Sequence, residues 1–166
     1  MELNVAGALL KKAVISSAVQ SWADLGAGRG LFTKALSQLL PGGSSIIAID
    51  KESTALAQIK LAPNINLRTK TLDFTSAPLD IGHLDGILMA NSLHYVKDQR
   101  DFVNKLLAIT NHIVIVEYDM DKSNAWIPYP VNFVKLTAMS IGNTTKIGTA
   151  PSQYHKEGIY SALISL

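Results

Sequence analysis

The stretch Asp24-Leu25-Gly26-Ala27-Gly28-Arg29-Gly30 sets glycine at every second position between an apolar run and an apolar-periodic one. Glycine has no Cβ and tolerates positive φ, so a turn of this kind lets the backbone approach a ligand closely. A dinucleotide loop requires G-x-G-x-x-G, and its third glycine would fall on Leu31; the spacing here, G-x-G-x-G, is one residue shorter. Asp24 stands two residues before the first glycine, which predicts a carboxylate at the lip of the pocket. Beside a pyrophosphate that charge would repel, whereas a ligand bearing an ammonium group would be drawn in directly or through water. S-adenosylmethionine carries an ammonium and a sulfonium and no phosphate, so the acid favours it over a nicotinamide dinucleotide.

Other residues could share in such chemistry. Asp50 closes the run SSIIAID twenty residues after Gly30, the separation of a ribose-binding acid in either nucleotide fold; it could equally cap the helix that begins near Glu52. Asp73 could meet the ligand or sit in a DFTS turn, and Phe74 could stack on a base or enter the core. Asn91 ends LDGILMAN, with His94 and Tyr95 after it, and Glu117, Tyr118 and Asp119 end HIVIVEYD. That edge is where acceptors enter open α/β sheets. If the acceptor arrives protonated, His94, Tyr95 and Glu117 are the candidate bases, in that order; His94 could also be a structural residue at a helix start. Trp126 and Tyr129, held by Pro128 and Pro130, could wall an acceptor or pack a helix onto the sheet. His83, His112 and His155 have no partner readable from sequence and are expected at the surface or in caps. No two histidines stand at ligand spacing on one element, so no metal is expected.

The elements that must position these residues alternate. Strands are predicted at Ala23–Leu25, in SSIIAID, INLRTKTLDF, LDGILMAN and HIVIVEYD. Helices are predicted over residues 1–20, in LFTKALSQLL, from Glu52 to Leu61, in DQRDFVNKLLAIT with Asp98 as cap, and in VNFVKLTAMS. The order implies a parallel sheet with helices on both faces. TTKIGTAPSQY and GIYSALISL lack an intervening helix, so the HKEG between them predicts a closing antiparallel hairpin.

Composition narrows the classes. At 166 residues the chain suits one domain, 1–166, made of a leading helix over 1–20 and a core over 21–166. A hydrophobic share of 48% against 17% charged is too apolar for disorder. Net charge is +2, and the fifteen Lys and Arg are scattered, which argues against nucleic acid. With no cysteine, disulfides and thiolate metal sites are impossible, and a cytoplasmic setting is expected. No apolar run approaches the roughly 20 residues that cross a bilayer, so no membrane partner is expected.

With these residues in this order, the chain resembles the class I S-adenosylmethionine-dependent methyltransferases. The family's D/E-x-G-x-G-x-G is matched by Asp24, Gly26, Gly28 and Gly30, with Ala27 inside the loop. Its acid at the end of the second strand, which binds both ribose hydroxyls, is matched by Asp50, followed by Lys51. Its acid after the third strand, which meets the adenine amino group, is matched by Asp73 beside Phe74. Asn91 falls where the family lines the methyl donor's sulfur, and His94 is similar to a histidine common there in small-molecule members. The resemblance runs from Ser21 to Leu166. It implies a single-domain, Rossmann-like α/β fold whose seven-stranded mixed sheet is mostly parallel and ends in an antiparallel hairpin. It also implies S-adenosyl-L-methionine as cofactor and in-line methyl transfer to a small-molecule acceptor touching Tyr118, Trp126 and Tyr129. The Asn-Pro-Pro-Tyr signature for planar amide or adenine nitrogens is absent; Asn91-Ser92-Leu93-His94 stands there. With only the leading helix and the Trp126 loop for cover, either the acceptor enters openly or a homodimer mate or partner subunit completes the pocket. Two other readings stay open: a catalytically silent methyltransferase-fold partner subunit and an NAD(P)-dependent oxidoreductase.

Overall fold

Alternate residues of the central strands turn to opposite sides, and both sides are apolar. The computed structural model describes residues 1–14 and 16–166. Its strands are β1 (Ser21–Leu25), β2 (Ser45–Asp50), β3 (Asn66–Thr71), β4 (Gly86–Ala90), β5 (His112–Tyr118), β6 (Asn143–Ala150) and β7 (Ile159–Ser165). They form one sheet in the order β3-β2-β1-β4-β5-β7-β6. Pairing is parallel from β3 through β5, while β7 runs antiparallel to both β5 and β6. This is the mixed, mostly parallel seven-stranded fold that the pattern predicts.

On one face Trp22, Ile46, Leu88 and Val114 pack against α1 (Leu3–Leu10) and α2 (Leu31–Ser37), through Ala6, Leu9, Phe32 and Leu36. On the other, Ala23, Leu25, Ile87, Met89 and Ile115 meet α4 (Gln99–Leu106) and α5 (Phe133–Met139), through Val103, Leu106 and Leu136. Burial on both faces explains the unbroken apolar runs of β4 and β5. Short α3 (Ser53–Leu56) covers Ala48 with Leu56. The chain moves outward from β1 through β2 to β3, then returns to β4 on the far side of β1. That reversal opens a crevice at the carboxyl ends of β1 and β4, where ligands of such sheets bind.

Local departures from expectation have local causes. The leading helix stops at Leu10 and a turn follows at 11–13, instead of continuing to 20; Ile15 lies outside the described residues. Ser16 is one reason: its hydroxyl accepts from Ala18 N–H at 3.1 Å, a bond that competes with helix. Expected helix over Glu52–Leu61 shrinks to α3 because Gln58 and Ile59 turn back to carbonyls only three residues earlier. Asp98 occupies the cap position of α4 but makes no side-chain capping bond. The side-chain cap is at Asn132, whose Oδ1 accepts from Lys135 N–H at 2.7 Å. Residues 151–158, not HKEG alone, connect β6 to β7, and the pair carries an irregularity between Lys146 and Gly148.

Gly86 shows how tightly β1 and β4 are joined. A Cβ there would lie 2.5 Å from the Trp22 ring, which is fully packed and donates Nε1–H to Gln20 Oε1 at 2.8 Å. Gly86→Ala should therefore destabilise the fold by about 1–3 kcal/mol through overpacking. Urea unfolding checks this as a lower midpoint with an unchanged slope.

Candidate active site

The turn after β1 is built from three left-handed glycines: Gly26 at φ 81°, Gly28 at φ 53° and Gly30 at φ 83°. Two of them also need their missing Cβ. At Gly26 it would fall 2.5 Å from Ser92 Cβ, and at Gly30 2.7 Å from Ile59 Cγ1. Gly28 faces no neighbour within 4 Å, so its requirement is conformational. The turn hangs on the end of β2, since Ile49 O accepts from Gly26 N–H and Ala27 N–H at 2.8 and 3.0 Å. Gly30 then caps α2, its carbonyl accepting from Lys34 N–H at 2.9 Å.

Asp24 is not at the lip. Its side chain is 1% exposed beneath the turn, hydrogen-bonded to Thr33 Oγ1 at 2.6 Å. Burial pushes its carboxyl up to about 7; the Thr33 bond opposes this in part, and the charge of Asp50 adds to it. An apolar stretch that runs straight into a glycine turn carries its last polar residue inward, and position along the chain does not reveal that.

A cleft of about 400 Å³ opens beside the turn, lined by Gly26, Asp50, Lys51, Asp73, Phe74 and Asn91, together with Leu72, Thr75, Ser92 and Tyr95. Six of the ten expected cofactor residues thus share one cavity, while Asp24, Ala27, Gly28 and Gly30 support it from behind. Asp50 spans the turn: Oδ2 accepts from Gly28 N–H at 2.8 Å and Oδ1 from Glu52 N–H at 2.9 Å. Each oxygen keeps a further lone pair for a ligand. Asp73 Oδ1 takes both the N–H and the hydroxyl of Thr75, at 2.9 and 2.6 Å, which holds its carboxyl below the usual range. Its Oδ2 has no partner among the described residues. Phe74 is 8% exposed and tilted against Phe102, with ring centroids 5.8 Å apart. With two carboxylates and one lysine in its lining, the cleft suits a ligand rich in hydrogen-bond donors and disfavours phosphate. The carboxylates that line the cleft are those of Asp50 and Asp73, not that of Asp24.

A second cavity, about 490 Å³, adjoins the first and shares Asn91 and Tyr95 with it; His94, Tyr118, Trp126, Ile127, Tyr154 and His155 complete it. Asn91 holds a left-handed φ of 53°, and its Oδ1 is sealed from solvent with no hydrogen-bond partner. Asn tolerates the left-handed region better than most residues, and here it stands on the wall shared by the two cavities. His94 and Glu117 form one unit: Glu117 Oε2 meets His94 Nδ1 at 2.8 Å, and Oε1 accepts from His94 N–H at 3.1 Å. They are 3% and 1% exposed, so of the three expected bases Glu117 has no path of its own to an acceptor. Tyr95 is half exposed, its ring 4.3 Å from that of His94. Burial raises the phenol of Tyr118, with the charge of Glu117 adding to it.

Of the expected acceptor residues, Tyr118 and Trp126 line this cavity and Tyr129 does not. Tyr129 works through its backbone, donating N–H to His94 O at 3.0 Å and accepting from Gln99 Nε2 at 2.6 Å. Asp119 is likewise structural, binding Phe133 N–H at 2.9 Å and Lys146 at 3.3 Å. His155, expected at the surface or in a cap, instead faces Tyr118 edge-on at 4.8 Å. Tyr154 and His155 escape a sequence reading because they follow β6 and return to the site only when the hairpin folds. Ser92 was legible only as a neighbour of Asn91; its hydroxyl donates to Leu25 O at 2.6 Å and ties the two strand-end turns together.

Residues 23–112, more than half of the chain, match the family described as "Methyltransferase domain". The chain belongs to that family. Its fold is similar to that of the N-methyltransferase NodS from Bradyrhizobium japonicum WM9, solved in complex with S-adenosyl-L-homocysteine, with a TM-score of 0.74 and 18% identity over 96% of this chain and 84% of that one. It is also similar to a cyclopropane-fatty-acyl-phospholipid synthase-like protein from Lactobacillus casei ATCC 334, with a TM-score of 0.75 and 10% identity over 99% and 90% of the two chains. The YcgJ protein from Bacillus subtilis gives a TM-score of 0.65 and 14% identity over 98% and 96%. At these identities the likeness is one of fold. No curated protein matches the sequence.

The buried state of Asp24 has a measurable consequence. A carboxyl held near 7 when folded and at 3.8 when unfolded is protonated in the native chain over a range where the unfolded chain has released its proton. Its contribution is complete below the unfolded value and is lost as pH rises toward the folded one. Wild type should lose stability relative to Asp24→Asn from about pH 4 to pH 7, by up to about 1.4 kcal/mol per pH unit, with no further relative loss above that range. Paired urea titrations across pH check both the slope and its end.

Proposed function

We propose that the protein is an S-adenosylmethionine-dependent methyltransferase acting on a small-molecule acceptor, with residues 1–166 working as one catalytic domain. The carrying observation is the junction of the two cavities at Asn91 and Tyr95. One cavity has the acids and the glycine turn, and the other has aromatic walls and a histidine. Family membership and the likeness to a fold that holds S-adenosyl-L-homocysteine in NodS support the same reading.

The residues present fit the cofactor. Asp50 and Asp73 retain unused lone pairs for ribose hydroxyls and an amino group. Asn91 lines the same cleft, and Gly26 leaves the cleft wall without a side chain. When bound, S-adenosylmethionine supplies a methyl group on a sulfonium, a carbon already activated for displacement. The chain's own work is then alignment and exclusion of water. Ile127, 3% exposed, anchors the loop after β5, and Asn124 Oδ1 fixes that loop by accepting from Trp126 N–H and Ile127 N–H at 2.8 and 2.9 Å. Gln99 Nε2 joins Leu93 O to Tyr129 O, at 3.2 and 2.6 Å, and so locks the acceptor loop to the turn that carries His94.

Isothermal titration with S-adenosylmethionine and S-adenosylhomocysteine tests the reading. Wild type should bind both. Asp50→Ala should weaken binding about tenfold or more, since charged hydrogen bonds to the ribose are lost. Asp73→Asn leaves the Thr75 contacts their acceptor and should weaken binding less. A wild-type chain that folds and takes up neither ligand would favour the silent-subunit alternative instead.

A further inference from the structure

Resting on the reading of the second cavity as the acceptor site, we infer that the acceptor is a neutral, planar aromatic hydroxyl compound, a phenol, whose proton passes to Nε2 of His94, and that Glu117 is the positioning residue that makes this possible. Glu117 presents two oxygens to a single residue. Oε1 receives the backbone N–H of His94 and Oε2 faces ring Nδ1 at 2.8 Å. A carboxylate is acceptor-only, so Nδ1 carries a hydrogen, and in the neutral ring that leaves the lone pair on Nε2. Nε2 has no hydrogen bond among the described residues, yet it is not one of their polar atoms sealed from solvent. Because His94 lines the acceptor cavity, that lone pair opens into it. The buried pair is a base with its orienting group, lacking only the proton donor.

The walls define the donor's body. Tyr95, Tyr118, Trp126 and Tyr154 supply aromatic side chains, and no Lys, Arg, Asp or Glu lines the cavity. A cationic amine would find no free carboxylate, since Glu117 is 1% exposed and committed to His94. An anionic acceptor would find no cation. A flat neutral ring with one hydroxyl satisfies both the aromatic walls and the lone pair. In the step, the O–H bond breaks with its electrons left on oxygen, the proton joins Nε2, and the resulting imidazolium is neutralised by Glu117.

Replacing Glu117 by Gln distinguishes positioning from mere packing. The amide carbonyl must take the place of Oε1 to keep the His94 N–H, which turns the NH₂ toward Nδ1. Nδ1 then becomes the acceptor and the hydrogen moves to Nε2, so the cavity faces a donor where it had an acceptor. Nitrogen NMR of histidine-labelled protein should show the Nδ1–H tautomer for His94 in wild type and the Nε2–H tautomer in Glu117→Gln. In wild type 4-nitrophenol should bind with an enhanced phenolate absorption band and more tightly than nitrobenzene or benzylamine. Glu117→Gln should weaken 4-nitrophenol about tenfold and abolish the band enhancement. A wild-type Nε2–H tautomer, equal affinity for nitrobenzene, or preference for benzylamine would each overturn the inference, and none of these needs a variant to fold. Parallel titration with S-adenosylhomocysteine separates the two claims. Cofactor binding without phenol preference removes only the acceptor class, while phenol binding without cofactor binding retains the acceptor class and removes methyl transfer.

Discussion

The absence of a side chain at Gly26 lets two turns from opposite sides of the sheet's switch point lie against each other. Any Cβ there would meet Ser92 at 2.5 Å, and the Ser92 hydroxyl closes the same contact by donating to Leu25 O. Because these turns touch, the residues on either side fall into fixed places. Asp50 reaches back to Gly28, Asn91 takes its left-handed conformation, and His94 is set over the end of β5, where Glu117 receives it. Moving the two turns apart would separate the acid-lined cavity from the aromatic one. Their adjacency is what lets the two cavities share Asn91 and Tyr95.

Polar groups around this contact divide by burial. Asp24, Glu117, Ser92 and Gln99 are all under 9% exposed and all hydrogen-bonded within the protein. They hold turns and rings in place. Asp50 and Asp73, which line the first cavity, keep unused acceptor lone pairs. A buried carboxylate is tolerable only when it is paired or protonated, and the two buried acids show both solutions: Glu117 is paired with His94, and Asp24 is pushed toward its neutral form.

Much of the first cavity was legible because its signals are local. Three glycines in five residues require an unusual backbone, and an acid at the end of an apolar strand emerges at the same sheet edge whichever neighbours the strand acquires. Asp50 follows from that rule, and Asp73 and Asn91 stand one or two residues past the ends of β3 and β4. The second cavity was only half legible. Tyr118 and Trp126 lie directly after a strand, but Tyr154 and His155 come from the connection between β6 and β7, and only the antiparallel return of β7 beside β5 carries them there. Tyr129 and Ile127 share one loop and one character, and no periodicity says which turns inward.

By itself, then, the sequence determined the alternation of strands and helices, the antiparallel tail, the glycine turn and the acids at the strand ends. Each is encoded in residues adjacent or nearly adjacent along the chain. Tertiary structure alone decided that Asp24 lies beneath the turn, that Glu117 serves His94, and that Asn91 stands between two cavities with its carbonyl unmatched. Those outcomes depend on which distant groups exclude water from a side chain and which offer it a hydrogen bond, and both are settled only when the sheet closes.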